Sequence, residues 1–592
     1  MKKLALVACL AVSVLPDLSA QELSASDLDR RRVQLRKLLD EQWEYTLRTS
    51  PEFASILGDR RYNDEVSDVS ERAVREEEAM TRKFLARFEA IDTLAFSEQE
   101  RLNRDLMVRS LRNSLGWAKL KVWQAPVSQM GGIHLGSAQL PSLLPFATVK
   151  DYDDYLVRMS KFPKSIDDTI ANMRKGMAAR QMPPKFLLEK VAGQAGDLAD
   201  DDPEKSPFAQ PLAKMPDSFS AEEKARIRAA FVERIRTSVL PAYAKFAAFV
   251  RDEYAPRGRT EVGVWALPDG KERYEFLAKS STTTDLTPDQ IHQIGLREVA
   301  RIEGEMLAIA RALGFNDLKS FNASLENNPR VAVTSGEQIL EAYRKYTAQM
   351  YAKLPQLFGR LPKANMEVVA TPAFREAQAS SAEYNTGSPD GSRPGRVYVN
   401  TFEATTRKTL SQESTAYHEG VPGHHMQLSI QQELTDLPPF RQQGGDTAFV
   451  EGWALYSERL GKEVGFYQDP YSDYGRLNDE QLRAIRLVVD TGLHARRWTR
   501  EQVVQYFREH SAIDEVEIQS ETDRYIVWPG QALAYKIGQL KILELRERAQ
   551  KALGPKFDIR AFHDELLGAG SLPLSLLEER MERWTTRQRA SS

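Results

Sequence analysis

One short segment concentrates the residue types that bind a metal ion and put it to use. Residues 417–425 contain three of the eight histidines of the 592-residue chain, and Glu419 directly follows the first of them, His418. Histidines hold catalytic zinc through their ring nitrogens, and an adjacent glutamate can take a proton from the water that the ion activates. The segment therefore predicts a zinc site with Glu419 as the general base.

The spacing of these histidines does not fit a regular helix. In the common H-E-x-x-H motif the second histidine follows the first by four residues, and here that position is Pro422. On a regular helix His424 would lie opposite His418, and His425 would lie two turns away. The Pro-Gly pair at 422–423 disrupts such a helix. A bulge of two residues pairs His418 with His424, which we favour, whereas a bulge of three selects His425.

A third protein ligand is expected, because catalytic zinc usually takes three ligands from the protein and leaves one position open. Glu451 is the candidate, since it lies far enough beyond His424 for a helix and a turn and has apolar neighbours. Carboxylates are rarely buried unless they are paired or bind a metal. Glu458 lies on roughly the same helical face, either as a hydrogen-bond partner of a ligand histidine or as a solvated charge.

His494 is a candidate for the catalytic machinery. It lies in an apolar run that Arg483, Arg486 and Asp490 also interrupt, and its spacing from Asp490 puts both on one helical face. Two interpretations stay open for His494. It either polarises a group near the metal, or it is a core histidine that Asp490 satisfies.

Tyr535 is the second candidate for the catalytic machinery. It closes residues 525–535, which we predict to be a helix that starts at a proline and has an aromatic residue at each end. A tyrosine hydroxyl can stabilise a tetrahedral oxyanion. The alternative for Tyr535 is simple packing against the preceding helix.

Three motifs together resemble a known bacterial family. They are His-Glu-Gly-Val-Pro-Gly-His-His-Met-Gln from His418, Glu-Gly-Trp-Ala-Leu-Tyr-Ser-Glu from Glu451, and Trp-Pro-Gly-Gln-Ala-Leu-Ala-Tyr-Lys-Ile-Gly from Trp528. The family is known as domain of unknown function 885 and is similar to the gluzincin-type zinc metallopeptidases. The resemblance implies a mostly helical, gluzincin-like fold. It also implies a site with Glu419 as base and with the zinc ligands His418, His424 and Glu451.

Helical periodicity dominates the chain, with apolar residues three and four positions apart among many charges. The clearest predicted helices are residues 70–91, 97–115, 221–253 and 288–313. Thr287, Pro288 and Gln290 form a helix start with a capping box. The best predicted strand is 396–400, where β-branched and aromatic residues alternate. We therefore expect a mainly α fold, a large helical body with a gluzincin-like metal-binding helix pair and a few short strands.

The amino-terminal residues predict export. Residues 1–20 combine a basic start, an apolar core and a small-residue cleavage site ending at Ala20, which is typical of a secretory signal peptide. Residues 6–9 also resemble a lipoprotein signal, but the apolar run continues beyond Cys9, so we favour cleavage after Ala20. The mature protein is then expected in the periplasm or outside the cell.

Composition narrows the metal chemistry and the partners. Cys9 is the only cysteine, so a mature chain from Gln21 has no disulfide and no cysteine ligand for zinc. The net charge of −3 argues against nucleic acid as a partner. No later segment has the uninterrupted apolar length of a membrane-spanning helix. We divide the mature chain into an amino-terminal helical domain, residues 21–285, and a metal-binding catalytic domain, residues 286–592.

The leading functional prediction is an exported zinc metallopeptidase that cleaves peptide bonds. By analogy with such enzymes, strand 396–400 is expected to hold an extended peptide by edge pairing. One alternative is a non-catalytic envelope or binding protein with a closed, structural metal site that includes His425. Another is a metal-dependent amidase that acts on non-peptide substrates. An open coordination position beside Glu419 favours an enzyme.

We expect the mature protein to begin at Gln21, because a small-residue site follows an apolar core of signal-peptide length. Mass spectrometry of the protein recovered from the exporting cell measures this terminus. A Cys9→Ala variant serves as the control and should be processed identically. A lipid-modified Cys9 at the amino terminus, lost in that variant, would identify the lipoprotein signal as the correct one.

Overall fold

The computed structural model describes residues 25–200, 202–377 and 379–590. Across these residues the chain is largely helical, with three short strands in a single sheet. None of the helices in this part of the chain is long and apolar enough to cross a membrane. The signal peptide predicted at 1–20 and the lipoprotein signal at Cys9 lie outside the described residues. The mainly α fold is confirmed.

The helices of the amino-terminal half are α1 Ala25–Thr49, α2 Pro51–Ile56, α3 Glu71–Glu89, α4 Glu98–Lys119, α5 Ile133–Gln139, α6 Val149–Ala178, α7 Lys185–Ala199, α8 Ala221–Arg234, α9 Leu240–Phe249 and α10 Gly270–Thr282. Those of the middle are α11 Pro288–Ala312, α12 Leu318–Leu325, α13 Gly336–Tyr351, α14 Leu354–Leu357, α15 Ala373–Glu376, α16 Gln412–Glu419, α17 His424–Gln432 and α18 Pro439–Gln443. The carboxyl-terminal helices are α19 Thr447–Glu463, α20 Pro470–Ala495, α21 Arg500–His510, α22 Glu515–Val527, α23 Leu533–Leu553, α24 Ile559–Leu567 and α25 Leu574–Ala590. The strands are β1 Met366–Ala370, β2 Ala382–Asn385 and β3 Gly395–Val399.

The predicted helices form where apolar periodicity places them, as α3, α4, α8 with α9, and α11. At the start of α11 the Thr287 hydroxyl accepts from the Gln290 amide, and the Gln290 side chain accepts from the Thr287 amide. This is the predicted capping box. The long prediction over 221–253 corresponds to two α-helices, with π-helical turns at Ile235–Val239 and Val250–Tyr254. Local sequence thus positions the helix starts well.

The strand predicted at 396–400 is confirmed as β3, but its expected role in edge pairing is wrong. The sheet order is β1-β3-β2, with β3 parallel to β1 and antiparallel to β2. The central strand already pairs its backbone groups with a neighbour on each side, so it has none left for a peptide. Within this sheet β2 is an edge strand with one side unpaired.

One hydrophobic core crosses the domain boundary that we predicted at 285. Leu106, Val264 and Tyr274 belong to the same buried cluster as Trp453 and Leu533. The fully buried residues of two further cores all come from the amino-terminal part, between 35 and 111 and between 127 and 255. α10 packs against the carboxyl-terminal helices α19, α20 and α23, so the core has no gap that matches a boundary at 285. The division at 285 stays a prediction.

Two glycines let α19 and α23 cross at close range. A Cβ at Gly538 would lie 1.9 Å from the carbonyl oxygen of Ala448 and 2.7 Å from the Cα of Gly452. A Cβ at Gly452 would lie 2.5 Å from the Cα of Gly538. Backbone atoms cannot yield to such contacts, so both positions require glycine. Because Glu451 precedes Gly452, this crossing also sets the position of the predicted third ligand.

We expect Gly538→Ala to lower the free energy of unfolding by about 1–3 kcal/mol, because the added methyl forces α23 away from α19. Urea denaturation followed by circular dichroism measures the change. Gly304→Ala is the control: Gly304 lies in α11 with open space around it, and alanine there should add about 0.5–1 kcal/mol. An unchanged urea midpoint for Gly538→Ala would show that the two helices do not cross this closely.

Candidate metal centre

The histidine segment folds as two helices rather than as one bulged helix. α16 ends at Glu419 and α17 begins at His424. The amide of Gly423 donates to the carbonyl of Tyr417 at 2.9 Å, whereas a regular helix bonds only four residues back. This bond spans six residues and so accommodates two extra ones. That is the expansion predicted for pairing His418 with His424.

The turn between the two helices is held from both sides. The Trp453 indole Nε1 of α19 donates to the carbonyl of Pro422 at 2.9 Å. A Cβ at Gly423 would lie only 1.9 Å from the carbonyl oxygen of His418. Glycine is therefore required for α17 to begin directly against the end of α16. The turn thus brings the second histidine back beside the first.

The structure brings together the three residues predicted to bind zinc. His418, His424 and Glu451 each offer one ligand atom, and these atoms lie within 4.8 Å of one another. The Oε2 atom of Glu451 is 3.2 Å from Nε2 of His424 and 3.8 Å from Nε2 of His418. Ligand atoms of a tetrahedral zinc, at bonds near 2.0–2.1 Å, are separated by about 3.3 Å. The spacing therefore fits a single ion.

Glu458 orients the ring of His418. Its Oε1 accepts a hydrogen bond from Nδ1 of His418 at 2.8 Å, and both residues are buried. Since an ionised carboxylate can only accept, Nδ1 carries a proton, and Nε2 is the ring nitrogen left to bind an ion. That nitrogen faces the carboxylate of Glu451, so two electron-pair donors share a buried position that favours a cation. Glu458 has the hydrogen-bonding role that the sequence suggested for it.

The pKa shifts of the buried groups describe the same attraction for positive charge. Burial alone would lower the pKa of His418, but its hydrogen bonds to Glu451 and Glu458 raise that pKa to about 9. Burial alone would raise the pKa of Glu451, but His424 and His418 hold it well below its usual range. The position between these side chains therefore stabilises a proton or another cation. Two histidine nitrogens and one carboxylate oxygen form a ligand set that zinc commonly accepts in proteins.

His425, the alternative second histidine, points away from this centre. Its Nδ1 lies 2.9 Å from the hydroxyl of Tyr384 in β2, and the ring is fully buried. Burial lowers the pKa of His425 to about 4. The ring is therefore neutral at physiological pH and packs α17 against the sheet. The structure does not bring His425 to the three grouped side chains.

The candidate centre opens into a cavity of about 370 Å³, and Glu419 lies on its wall beside His418. Strand β2 also forms part of the lining. Gln129, from a loop of the amino-terminal half, also lines the cavity and donates to the carbonyl of Asp523 at 3.0 Å. Volumes of this order hold a small ligand or a few residues of a peptide.

Tyr535 lines the same cavity. Its ring stacks near that of His418, with 6.2 Å between the ring centroids. The Tyr535 hydroxyl accepts from Nη2 of Arg524 at 2.9 Å, so its own proton can be donated to a ligand oxygen. This position suits the oxyanion role suggested for Tyr535.

The helix predicted over 525–535 is wrong, because that segment joins two helices. α22 continues through Tyr525 and ends at Val527, and α23 begins only at Leu533. Proline at 529 supplies no amide donor, and Gly530 adopts a φ of +82°, which most residues avoid. Tyr525 and Tyr535 therefore belong to different helices.

The structure does not bring His494 to the cavity lining. Its Nδ1 accepts from the amide of Val264 at 3.1 Å, and its Nε2 donates to the carbonyl of Tyr525 at 3.0 Å. Asp490, its expected partner, accepts instead from the hydroxyl of Tyr274 at 2.6 Å. Burial lowers the pKa of His494 to about 3. The geometry matches a core histidine, although backbone groups rather than Asp490 satisfy it.

The sequence reasoning missed a positively charged wall of the cavity. Arg483 and Arg486 of α20 and Arg524 of α22 line it, and each is at least nine-tenths buried. Arginines inside an apolar run are unusual, so the first two carried a signal. Nothing in the sequence linked Arg524 to them, because they lie on different helices.

The fold is shared with solved structures of other bacterial proteins, among them two putative lipoproteins. One is the crystal structure of a putative lipoprotein from Colwellia psychrerythraea, with a TM-score of 0.88 and 30% identity over 94% of this chain and 99% of that chain. The other, a putative lipoprotein of unknown function from Shewanella oneidensis, has a TM-score of 0.66 and 18% identity over 93% and 99%. The second likeness shows the fold alone. No curated protein matches the chain.

A family model provides the classification that these likenesses leave open. The model describes bacterial proteins of unknown function and matches residues 51–581, which is most of the chain. The matched range contains both histidine helices and all three grouped ligand candidates. The chain therefore belongs to the DUF885 family of bacterial proteins of unknown function.

Proposed function

We propose that the protein is an exported zinc-dependent metallopeptidase. The observation that carries the proposal is the grouping of His418, His424 and Glu451 at ligand spacing in the wall of a cavity, directly beside Glu419. Three protein ligands with an accessible fourth side are typical of catalytic zinc, whereas structural zinc is closed by four. The orientation of His425 towards Tyr384 argues against a closed site.

The residues of the site have complementary roles in hydrolysis. A zinc ion held by the three ligands would act as a Lewis acid that polarises the scissile carbonyl. It would also lower the pKa of a bound water molecule towards neutrality. Glu458 keeps His418 in the tautomer that presents Nε2. Glu419 accepts the proton of the attacking water and returns it to the leaving amine. Tyr535 donates its hydroxyl proton to the carbonyl oxygen as negative charge develops there.

Strand β2 supports a peptide rather than another amide as the substrate. Ala382, Glu383 and Tyr384 of this strand line the cavity, and β2 pairs on one side with β3. An extended peptide can add to the open edge of such a strand through backbone hydrogen bonds. We therefore assign to β2 the edge-pairing role that the sequence analysis predicted for β3.

Export is supported by the amino-terminal sequence and by the structural relatives. Residues 1–20 have the pattern of a secretory signal peptide. The relatives from Colwellia psychrerythraea and Shewanella oneidensis are both described as putative lipoproteins. That description favours an exported protein and strengthens the alternative of a lipid anchor at Cys9. The amino-terminal mass distinguishes the two.

We expect Glu419→Gln to keep its zinc and to lose hydrolysis by a factor of about 10²–10⁴. Glutamine preserves the size of the side chain but cannot accept a proton from water. Zinc content by inductively coupled plasma mass spectrometry and digestion of a peptide library, with and without chelator, measure both properties. Glu544→Gln, on the exposed side of α23, is the control and should retain full activity. Normal turnover by Glu419→Gln would refute its role as base.

We expect His418→Ala and His424→Ala to lose zinc, because two remaining protein ligands hold the ion poorly. His425→Ala should retain it, since the His425 ring contacts Tyr384 instead. Metal analysis after dialysis measures zinc per chain, and circular dichroism confirms that each variant is folded. Loss of zinc from His425→Ala together with its retention in His424→Ala would reverse the assignment of the second histidine.

A further inference from the structure

Two arginines lie one aromatic ring away from the proposed zinc site. The guanidinium carbon of Arg486 is 4.4 Å from the ring centroid of Tyr535. Arg524 donates to the hydroxyl of the same tyrosine at 2.9 Å. The Tyr535 ring in turn stacks near His418, with 6.2 Å between centroids. Both arginines line the cavity that contains the candidate base Glu419.

These two arginines share a single carboxylate. Arg486 donates to Oε2 of Glu521 at 2.7 Å, and Arg524 donates to Oε1 at 3.2 Å. Two buried positive charges therefore face one buried negative charge. Glu517 also lines the cavity, but burial and neighbouring carboxylates raise its pKa to about 7, so it is only partly ionised at neutral pH. Since buried charges are stable only when they are paired, this wall favours a further anion.

Both guanidiniums also have an N–H group without a protein acceptor. In the described part of the chain, neither Nη1 of Arg486 nor Nε of Arg524 has a hydrogen-bond partner, although both atoms are buried. A buried donor without an acceptor is costly. Ligand oxygen atoms bound at this wall would satisfy these donors.

The other charged pair on the cavity wall is balanced. Arg375 donates to both carboxylate oxygens of Glu383, at 2.5 and 3.0 Å. One positive and one negative charge therefore cancel beside β2. The excess positive charge lies on the side formed by α20 and α22.

We propose that Arg486 and Arg524 bind the carboxyl terminus of the substrate, so that the protein removes residues from the carboxyl end of short peptides. This inference rests on the proposed metallopeptidase function. The planar guanidinium matches a carboxylate through paired hydrogen bonds. A terminal carboxylate lies on the backbone of every unmodified peptide, about 3.5 Å per residue beyond the scissile bond. The arginine wall thus recognises an end of the chain rather than a sequence.

The reaction is ordinary hydrolysis. The oxygen of water bonds to the scissile carbonyl carbon, and the bond from that carbon to nitrogen breaks. The upstream peptide leaves as a new carboxylate, and the water proton taken by Glu419 passes to the released amine. The fragment that carries the original carboxyl terminus leaves from the arginine side of the cavity.

Binding to Glu419→Gln protein, whose turnover should be about 10²–10⁴-fold slower, tests the inference. The probes are trialanine, trialanine amide and the tripeptide Ala-Ala-Glu as its amide, with titration calorimetry as the measurement in zinc-loaded and chelator-treated protein. Trialanine should bind about 10- to 100-fold more tightly than its amide. Ala-Ala-Glu amide should bind as weakly as trialanine amide. Equal binding of all three probes, tight binding of Ala-Ala-Glu amide, or no binding of any probe would overturn the proposal.

Arg524→Gln in the same background should reduce the preference for trialanine over its amide by about tenfold or more, with amide binding unchanged. The substitution leaves Arg486 and Glu521 as a balanced pair, and circular dichroism verifies folding. Arg546→Gln is the matched control, because Arg546 likewise donates to a tyrosine hydroxyl at 2.9 Å and to a glutamate, yet lies outside this cavity lining. A full preference in Arg524→Gln would overturn the proposal.

A second single variant supplies an independent test if Arg524→Gln does not fold. Arg486→Gln leaves Arg524 and Glu521 as a balanced pair and removes the free Nη1 donor of Arg486. The preference for the free acid should again fall, and its persistence at the original level would overturn the proposal.

Turnover by the zinc-loaded protein separates this inference from the proposed function. Pentaalanine and pentaalanine amide serve as substrates, with products identified by mass spectrometry. Shortening of only the free acid from its carboxyl end supports both ideas. Equal cleavage of acid and amide would keep the metallopeptidase and overturn the carboxylate site. Selective binding of free acids without any zinc-dependent cleavage would keep the carboxylate site and refute the metallopeptidase.

Discussion

The Oε2 atom of Glu451 lies 3.2 Å from one histidine nitrogen and 3.8 Å from another inside a helical protein. Three electron-rich atoms do not stay together without rigid support and a shared positive charge. The support comes from backbone contacts. The Gly423 turn joins α16 to α17, and the Gly452 crossing holds α19 against α23. Trp453 links the two by donating to the turn.

Charge in the cavity is divided into two regions. The candidate metal centre gathers Glu451 and Glu458 around the histidines, whereas the part of the wall formed by α20 and α22 carries Arg486 and Arg524 with the single carboxylate of Glu521 between them. Tyr535 lies between the regions, with His418 and Arg486 both against its ring. Low solvent exposure strengthens each of these interactions. A ligand with a polar amide near one end and a carboxylate at the other would match both regions.

The related structures show that the fold persists at low sequence identity. The Shewanella oneidensis protein retains a TM-score of 0.66 at 18% identity. A shared fold does not by itself define an activity, because the same helical framework can support different chemistry. The functional argument for this chain therefore depends on the geometry of named side chains. Its basis is the spacing of His418, His424 and Glu451 and the position of Glu419 beside them.

The sequence by itself determined the helical regions at 70–91, 97–115, 221–253 and 288–313, the capping box at Thr287, the strand that became β3 and the residue types of the candidate metal site. Those features depend on periodicity and on neighbours within a few residues. It also identified His418, Glu419 and Glu451 as candidates, because histidines and carboxylates in apolar surroundings are unusual. These choices need no knowledge of how distant helices pack.

Only the tertiary structure decided which groups meet. The choice of His424 over His425 followed from a turn whose backbone bond spans six residues and from the Tyr384 hydroxyl that holds the other ring. His494 faced backbone groups, because α20 packs beside the Val264 segment. The packing of α22 beside α20 places Arg524 and Arg486 on the same carboxylate, that of Glu521. Contacts between residues far apart in sequence depend on how helices cross, and local periodicity carries no information about that crossing.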